Sequence, residues 1–174
     1  STILGGQAVS GKKGRATDFG ASTNVMGLDL SASYFTANAS DVEKKDVKMY
    51  AYGAAYKFGA LRLAVNTLTV KDYNYNLDTL KYEWETTGVG GSYQVNPALS
   101  LNAAYYNSKN KLVAAQKSDN YVFGAEYSLS KRTTLYAQGA FSDNNSTTAT
   151  VTGSFGAVAG TSNSTYQLGM RHTF

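Results

Sequence analysis

The charged side chains of this 174-residue chain are spaced by strand alternation and form no compact catalytic cluster. Cations and anions recur on one side of alternating segments, together with neutral amides: Lys57, Arg62, Arg171, Asp29, Glu126, Asn66, Asn102, Gln138 and Gln167. Charged and polar groups of this kind, facing a water-filled space, select ions by charge without making or breaking bonds. The pattern therefore predicts that these nine residues line an aqueous channel.

The sequence contains few residues of the types that catalyse reactions or bind metal ions. His172 is the only histidine and cysteine is absent, so neither a thiolate nucleophile nor a Cys/His metal site can be assembled. The run Gly88 to Gly91 is not followed by the Gly-Lys-Ser/Thr that a phosphate-binding loop needs. We therefore predict that the protein is not an enzyme and uses no cofactor.

The elements that must position the polar residues are β-strands, and the last one is the clearest. From Tyr166 to Phe174 an apolar face alternates strictly with a face carrying Gln167 and Arg171. Such a strand at the edge of a soluble sheet would be an aggregation site, so the pattern favours a closed barrel. With lipid against the apolar face, the polar face borders the lumen.

Alternation extends over most of the chain and predicts about nine antiparallel strands between residues 16 and 174, with residues 1–15 as an irregular N-terminal segment. Short connections alternate with long polar ones, at about 38–46, 71–78, 107–120 and 142–164. This asymmetry is typical of transmembrane barrels, which have short periplasmic turns and long external loops. Aromatic residues near the short turns predict a membrane-interface girdle: Tyr56, Phe58, Tyr93, Tyr127 and Phe174.

Composition agrees with this architecture. No stretch approaches the roughly 18 to 20 apolar residues of a transmembrane helix, and the mean hydropathy of -0.31 suits alternating strands. The net charge of +4 comes from scattered residues, so nucleic acid is not a predicted partner. A modest anion preference is expected from Lys57, Arg62 and Arg171. The alternative is that these cations only hydrate the wall or pair with Asp29 and Glu126.

Nine strands is an odd number, whereas single-chain bacterial barrels normally have an even number. Either the chain lacks an N-terminal portion, which we favour, or residues 1–12 supply a tenth strand. Only Ile3, Leu4, Ala8 and Val9 are large or apolar there, and Gly5 and Gly6 interrupt them.

Several segments resemble the general porins of Gram-negative bacteria, especially the beta-proteobacterial type. The resemblance is carried by Gly169-Met170-Arg171-His172-Thr173-Phe174, Phe19-Gly20-Ala21-Ser22, Leu28-Asp29-Leu30-Ser31-Ala32-Ser33-Tyr34 and Gly53-Ala54-Ala55-Tyr56-Lys57-Phe58. It implies a sixteen-stranded trimeric barrel of the outer membrane, with this chain resembling the C-terminal half.

The resemblance also implies a function and partners. The function would be passive diffusion of small hydrophilic solutes and ions. The partners would be outer-membrane lipid, lipopolysaccharide, two further copies of the chain, and the barrel-insertion machinery that reads the C-terminal strand. The alternative is a small barrel of eight to ten strands with a structural, adhesin or enzymatic role.

Overall fold

The computed structural model describes residues 2–11, 14–38, 46–74, 79–113, 116–144 and 160–174. They form one antiparallel sheet in which the strands follow chain order. Its strands are β1 (Thr2–Gly11), β2 (Gly14–Val25), β3 (Leu28–Asn38), β4 (Asp46–Phe58), β5 (Leu61–Asn74), β6 (Thr79–Gln94), β7 (Leu99–Asn110), β8 (Lys117–Ser128), β9 (Thr133–Asn144) and β10 (Ser162–His172). The predicted all-β antiparallel class is confirmed. Within the described residues, no helix is long and apolar enough to cross a membrane.

Strand β1 is the main difference from the sequence prediction, which treated residues 1–15 as irregular and counted about nine strands. Its backbone pairs with β2 from Thr2 opposite Thr23 to Gly11 opposite Gly14, which gives ten strands in the sheet. Gly5 lies opposite Gly20 and Gly6 opposite Phe19. Pairing with a neighbouring strand therefore overrides the weak strand propensity of the two glycines.

Two short turns use residues with left-handed backbone. Met26 (φ 52°) and Gly27 (φ 85°) join β2 to β3, and both central residues of a two-residue hairpin turn commonly have positive φ. The amide of Gly27 donates to Oδ1 of Asn24 at 3.3 Å. Gly59 (φ 56°) begins the two-residue turn between β4 and β5.

The other two short turns are held by side-chain acceptors. Oδ1 of Asn96 accepts hydrogen bonds from the amides of Ala98 and Leu99, each at 2.9 Å, between β6 and β7. Oγ of Ser130 accepts from the amides of Arg132 and Thr133 at 3.2 and 3.1 Å, between β8 and β9. Local side-chain acceptors of this kind favour a turn over continued strand.

The opposite strand ends extend further than predicted. β5 continues to Asn74 and β7 to Asn110, while β8 begins at Lys117. The polar stretches predicted as loops at about 71–78 and 107–120 are thus partly strand. Polar residues persist in strands that continue beyond an apolar zone, so polarity alone does not mark the end of a strand.

The chain divides into two compact units. The first comprises Ser1–Tyr56, Val65–Thr87 and Lys109–Ala114, and the second comprises Lys57–Ala64, Gly88–Ser108 and Ala115–Phe174. Among residues whose side chains are described, Ala55 is the one buried hydrophobic residue, at 7% exposure. Large apolar side chains are instead exposed, as at Leu168 (83%) and Met170 (63%). This inverts the arrangement of a soluble protein, which buries such residues.

Candidate functional site

Strand alternation gives the sheet two faces. The inner face carries Lys57 and Gln167, and the outer face carries Leu168 and Met170. Directly opposed residues of antiparallel strands share a face, so register decides which predicted lining residues are neighbours.

Lys57 and Arg62 are paired across the hairpin of β4 and β5. They flank the two-residue turn at Gly59 and Ala60, one residue beyond the closing pair of Phe58 and Leu61. Both side chains are exposed. Two cations lie side by side on the inner face, in the second unit, next to a short turn.

The inner row continues from β5 to β7. The amide of Gln94 donates to the carbonyl of Ala60 at 2.9 Å, which sets Arg62 opposite Ser92. Gly90 packs against Ala104, where an added Cβ would lie 2.8 Å from that of Ala104, and this register sets Ser92 opposite Asn102. Ser92 extends the row although the sequence analysis did not single it out.

From β7 the row runs on to β10. An added Cβ at Gly124 would lie 2.8 Å from Oδ1 of Asn102, so the Asn102 side chain extends over Gly124. Gly124 is opposite Gln138, and Gln138 is opposite Gln167. We call the set Lys57, Arg62, Ser92, Asn102, Gly124, Gln138 and Gln167 the inner polar row. Five of the nine predicted lining residues thus form one continuous line.

Arg171 and Glu126 form an ion pair on the same face, nearer the short turns. Nη2 of Arg171 lies 3.8 Å from Oε2 of Glu126, and the side chains are 67% and 37% exposed. The pair reaches across β9, where Tyr136 is opposite both Glu126 and Gly169. Glu126 therefore offsets part of the Arg171 charge, which is the pairing considered as the alternative to anion selection.

Tyr136 lies flat against the inner wall beside this ion pair. A Cβ added to Gly169 would collide with its ring and hydroxyl. Nε2 of Gln167 donates to the Tyr136 hydroxyl at 3.3 Å. The absence of a side chain at Gly169 therefore leaves the space in which the Tyr136 ring lies close to the sheet.

Asp29 and Asn66, the remaining predicted lining residues, belong to the first unit. Oδ1 of Asp29 accepts a hydrogen bond from Nδ2 of Asn24 at 2.7 Å, beside the β2–β3 turn. Asn66 faces Gly53, where an added Cβ would lie 3.9 Å from the Asn66 Cβ. Asp29 thus stabilises a turn, and Asn66 occupies the inner face beside a glycine.

The predicted girdle residues lie on the outer face. Phe58, Tyr93 and Tyr127 are 59%, 49% and 46% exposed, and Phe174 is fully exposed. The Tyr56 ring, in the first unit, lies 3.5 Å from the position of a Cβ on Gly27. Apolar rings with polar tips at the short-turn end are suited to a membrane interface.

A second aromatic group lies on the outer face further from the short turns, and sequence reasoning did not assign it. The Tyr105 and Tyr121 rings are 5.1 Å apart, and Tyr121 and Phe141 are 6.3 Å apart. Beyond them Oδ1 of Asp119 accepts hydrogen bonds from the Tyr105 hydroxyl at 2.5 Å and from Nδ2 of Asn107 at 2.8 Å. The predicted loop at 107–120 concealed this group, because Asn107 and Asp119 are strand residues.

In the second unit, five polar side chains at the same end of the inner face are buried at 6% exposure or less: Ser108, Ser118, Asn120, Ser142 and Asn144. Nδ2 of Asn120 donates to Oγ of Ser118 at 3.2 Å. They alternate with outer-face residues in β7, β8 and β9. Continued alternation through residues 117–120 is the sequence feature that could have predicted them. This end of the inner face is packed, whereas the inner polar row is largely accessible.

Among the described residues, no group of three His, Cys, Asp or Glu side chains could hold a metal ion. What the inner face of the sheet presents is a line of charged and amide side chains.

An antiparallel sheet that exposes its apolar face and carries polar residues on the opposite face is typical of outer-membrane β-barrels. The family model for Gram-negative porins matches residues 2–147, and the chain belongs to that family. The resemblance drawn from sequence segments is confirmed at the level of the family, and membership makes this an integral outer-membrane protein.

Solved structures agree on the fold. An anion-selective porin from Comamonas acidovorans superposes with a TM-score of 0.76 at 22% identity, over 98% of this chain and 59% of that one. The outer-membrane protein OmpT of Vibrio cholerae superposes with a TM-score of 0.70 at 13% identity, over 97% and 64% of the two chains. A trimer form of OmpT gives a TM-score of 0.69 at 15% identity, over 97% and 64%. The chain thus spans about three-fifths of the length of these proteins. Comparison with curated proteins finds no match.

Proposed function

We propose that the whole protein forms a water-filled channel in the outer membrane through which small hydrophilic solutes and ions diffuse passively, with a mild preference for anions. The inner polar row carries this proposal. Amides along the wall can exchange hydrogen bonds with passing water and solutes, while Lys57 and Arg62 lower the energy of an anion.

Fewer cations support the anion preference than the three that the sequence analysis named. Arg171 lies in an ion pair with Glu126 at 3.8 Å, so we assign the anion preference of this wall mainly to the two adjacent cations of the β4–β5 hairpin, Lys57 and Arg62. The structural similarity to a porin described as anion-selective supports the same preference in this chain.

We further propose that the protein acts as a homotrimer without enzymatic activity or a cofactor. The trimer form of the structurally similar OmpT supports the assembly. Phe174 ends an outer-face row of apolar residues on β10, which supports recognition of this strand by the barrel-insertion machinery. The exposed outer face supports contact with outer-membrane lipid and lipopolysaccharide.

The test is conductance of the purified whole protein in a planar bilayer of uncharged lipid. We expect stepwise conductance increments that grow in proportion to salt concentration, as in a water-filled pore. Heat-denatured protein serves as the control. Folded protein that inserts but produces no steps would contradict the proposal.

A further inference from the structure

The outer face of β5 and β6 in the first unit becomes progressively polar with distance from the short turns. Val65 is exposed at 48%. Next along the strands, the hydroxyls of Thr67 and Thr87 are 3.3 Å apart, so the two threonines face each other across the strands. Charged residues follow. An apolar zone, a hydroxyl zone and a charged zone are the sequence met on passing from hydrocarbon to lipid headgroups.

The charged zone contains an ordered group of ion pairs, which we call the outer charged cluster: Lys71, Glu83, Glu85, Lys109 and Lys111. Nζ of Lys109 and Nζ of Lys111 each lie 3.0 Å from the same oxygen, Oε1 of Glu85. Nζ of Lys71 lies 3.2 Å from Oε1 of Glu83. One carboxylate thus holds two ammonium groups close together.

The cluster has an excess of positive charge. It contains three lysines and two glutamates, which leaves a net charge of +1. The Lys109 and Lys111 side chains are 46% and 39% exposed. Each ammonium has three donors, and the bond to Glu85 uses one of them. Two neighbouring ammonium groups therefore present free N–H donors on the outer face.

Lys111 stays protonated at neutral pH. Lys111 follows the last residue of β7, and the hydrogen bond from its ammonium to Glu85 raises its pKa above the usual lysine range. A protonated ammonium group in the charged zone of the outer face favours an anionic partner.

We propose that the outer charged cluster binds a phosphate group of an anionic lipid in the outer leaflet, with Lys109 and Lys111 as the principal donors and Glu85 as the residue that positions them. The proposal rests on the outer-membrane channel proposed above, because only then does this face meet lipid. A phosphate monoester matches the site, since its several oxygens can accept from two ammonium groups at once.

The test is native mass spectrometry of the whole protein in nonionic detergent, titrated with bisphosphorylated lipid A. Lys109→Gln/Lys111→Gln is expected to bind about 30-fold more weakly than the wild type. Lys131→Gln/Arg132→Gln loses the same charge at the β8–β9 turn and is expected to bind as the wild type does. Equal binding by the Lys109/Lys111 variant would overturn the proposal.

Two further arms keep the test decisive if that variant fails to fold, which heat-modifiable gel mobility reports. Wild-type protein is expected to discriminate against the same lipid with its phosphates removed, and equal binding of both lipids would overturn the proposal. Glu85→Gln leaves both lysines but removes the carboxylate that holds their ammonium groups together, so weaker phosphate-dependent binding than that of the wild type is expected. Binding by Glu85→Gln equal to that of the wild type would overturn the positioning role of Glu85.

The lipid proposal can fail separately from the channel. Inorganic phosphate is added as a competitor, and its displacement of lipid A at micromolar concentration would assign the site to free phosphate. Conductance of the wild-type protein in uncharged bilayers is recorded independently. A conducting protein without phosphate-dependent lipid binding refutes only the lipid site, and a non-conducting protein refutes the proposed function.

Discussion

Neutralising the cationic hairpin should reduce anion preference by an amount that follows from its charge. A monovalent ion in water about 10 Å from a unit charge interacts with it by about 0.4 kcal/mol. Each of the two cations stabilises an anion and destabilises a cation by this amount. Lys57→Gln/Arg62→Gln therefore changes the energy difference between an anion and a cation in the pore by about 1.6 kcal/mol before screening. At 0.1 M salt the separation is one Debye length, which leaves about 0.6 kcal/mol, or roughly a threefold lower anion-to-cation permeability ratio.

The assay is reversal potential across a planar bilayer of uncharged lipid with a salt gradient centred on 0.1 M. Lys131→Gln/Arg132→Gln carries the same charge change outside the strands and should alter the ratio far less. At 1 M salt the effect of the hairpin variant should nearly disappear, because the Debye length falls to about 3 Å. An unchanged ratio at 0.1 M, or an equal change at both salt concentrations, would refute the electrostatic reasoning.

Three further outcomes are expected. Glu126→Gln should raise the anion-to-cation permeability ratio in the same assay, because it releases Arg171 from its 3.8 Å ion pair; a fall in the ratio would contradict that pairing. Gly169→Ala should destabilise the protein by about 1–3 kcal/mol, since the new methyl collides with Tyr136. Thermal unfolding followed by circular dichroism measures this, and a second change, Tyr136→Ala, should recover part of the loss if the collision is its cause. Asn96→Ala should cost about 1 kcal/mol in the same measurement by removing the acceptor of the β6–β7 turn, whereas Asn96→Asp, which keeps an acceptor, should cost less.

Much of the fold could be predicted because each strand has an apolar face for lipid and a polar face for water, so apolar and polar residues alternate along it. Tyr166 to Phe174 shows it most plainly, and the same alternation predicted most of the strands between residues 16 and 174. A strand at β1 was only the less favoured alternative, because its strand character depends on pairing with β2 and is weakened locally by Gly5 and Gly6. Its identification requires a partner strand, which a single segment of sequence does not specify.

The site was predictable in composition but not in arrangement. Parity assigns Lys57, Arg62 and Gln138 to one face, since each depends only on its own strand. Neighbour relations depend on the register of every hairpin, and these registers join Asn102 to Gly124 and Gly124 to Gln138. The ion pair of Arg171 with Glu126 spans three strands, so local spacing gives no sign of it.

The inner polar row also crosses the strands at changing positions along their lengths. It begins at Lys57, one residue before the end of β4, and reaches Gln167 near the middle of β10. In the proposed channel the two charged members of the row, Lys57 and Arg62, therefore lie at its short-turn end, and the neutral members lie progressively further from that end. An ion would meet the net charge of the row at one mouth of the channel and the amides further in. We expect the current through this wall to differ in size between the two signs of an applied voltage.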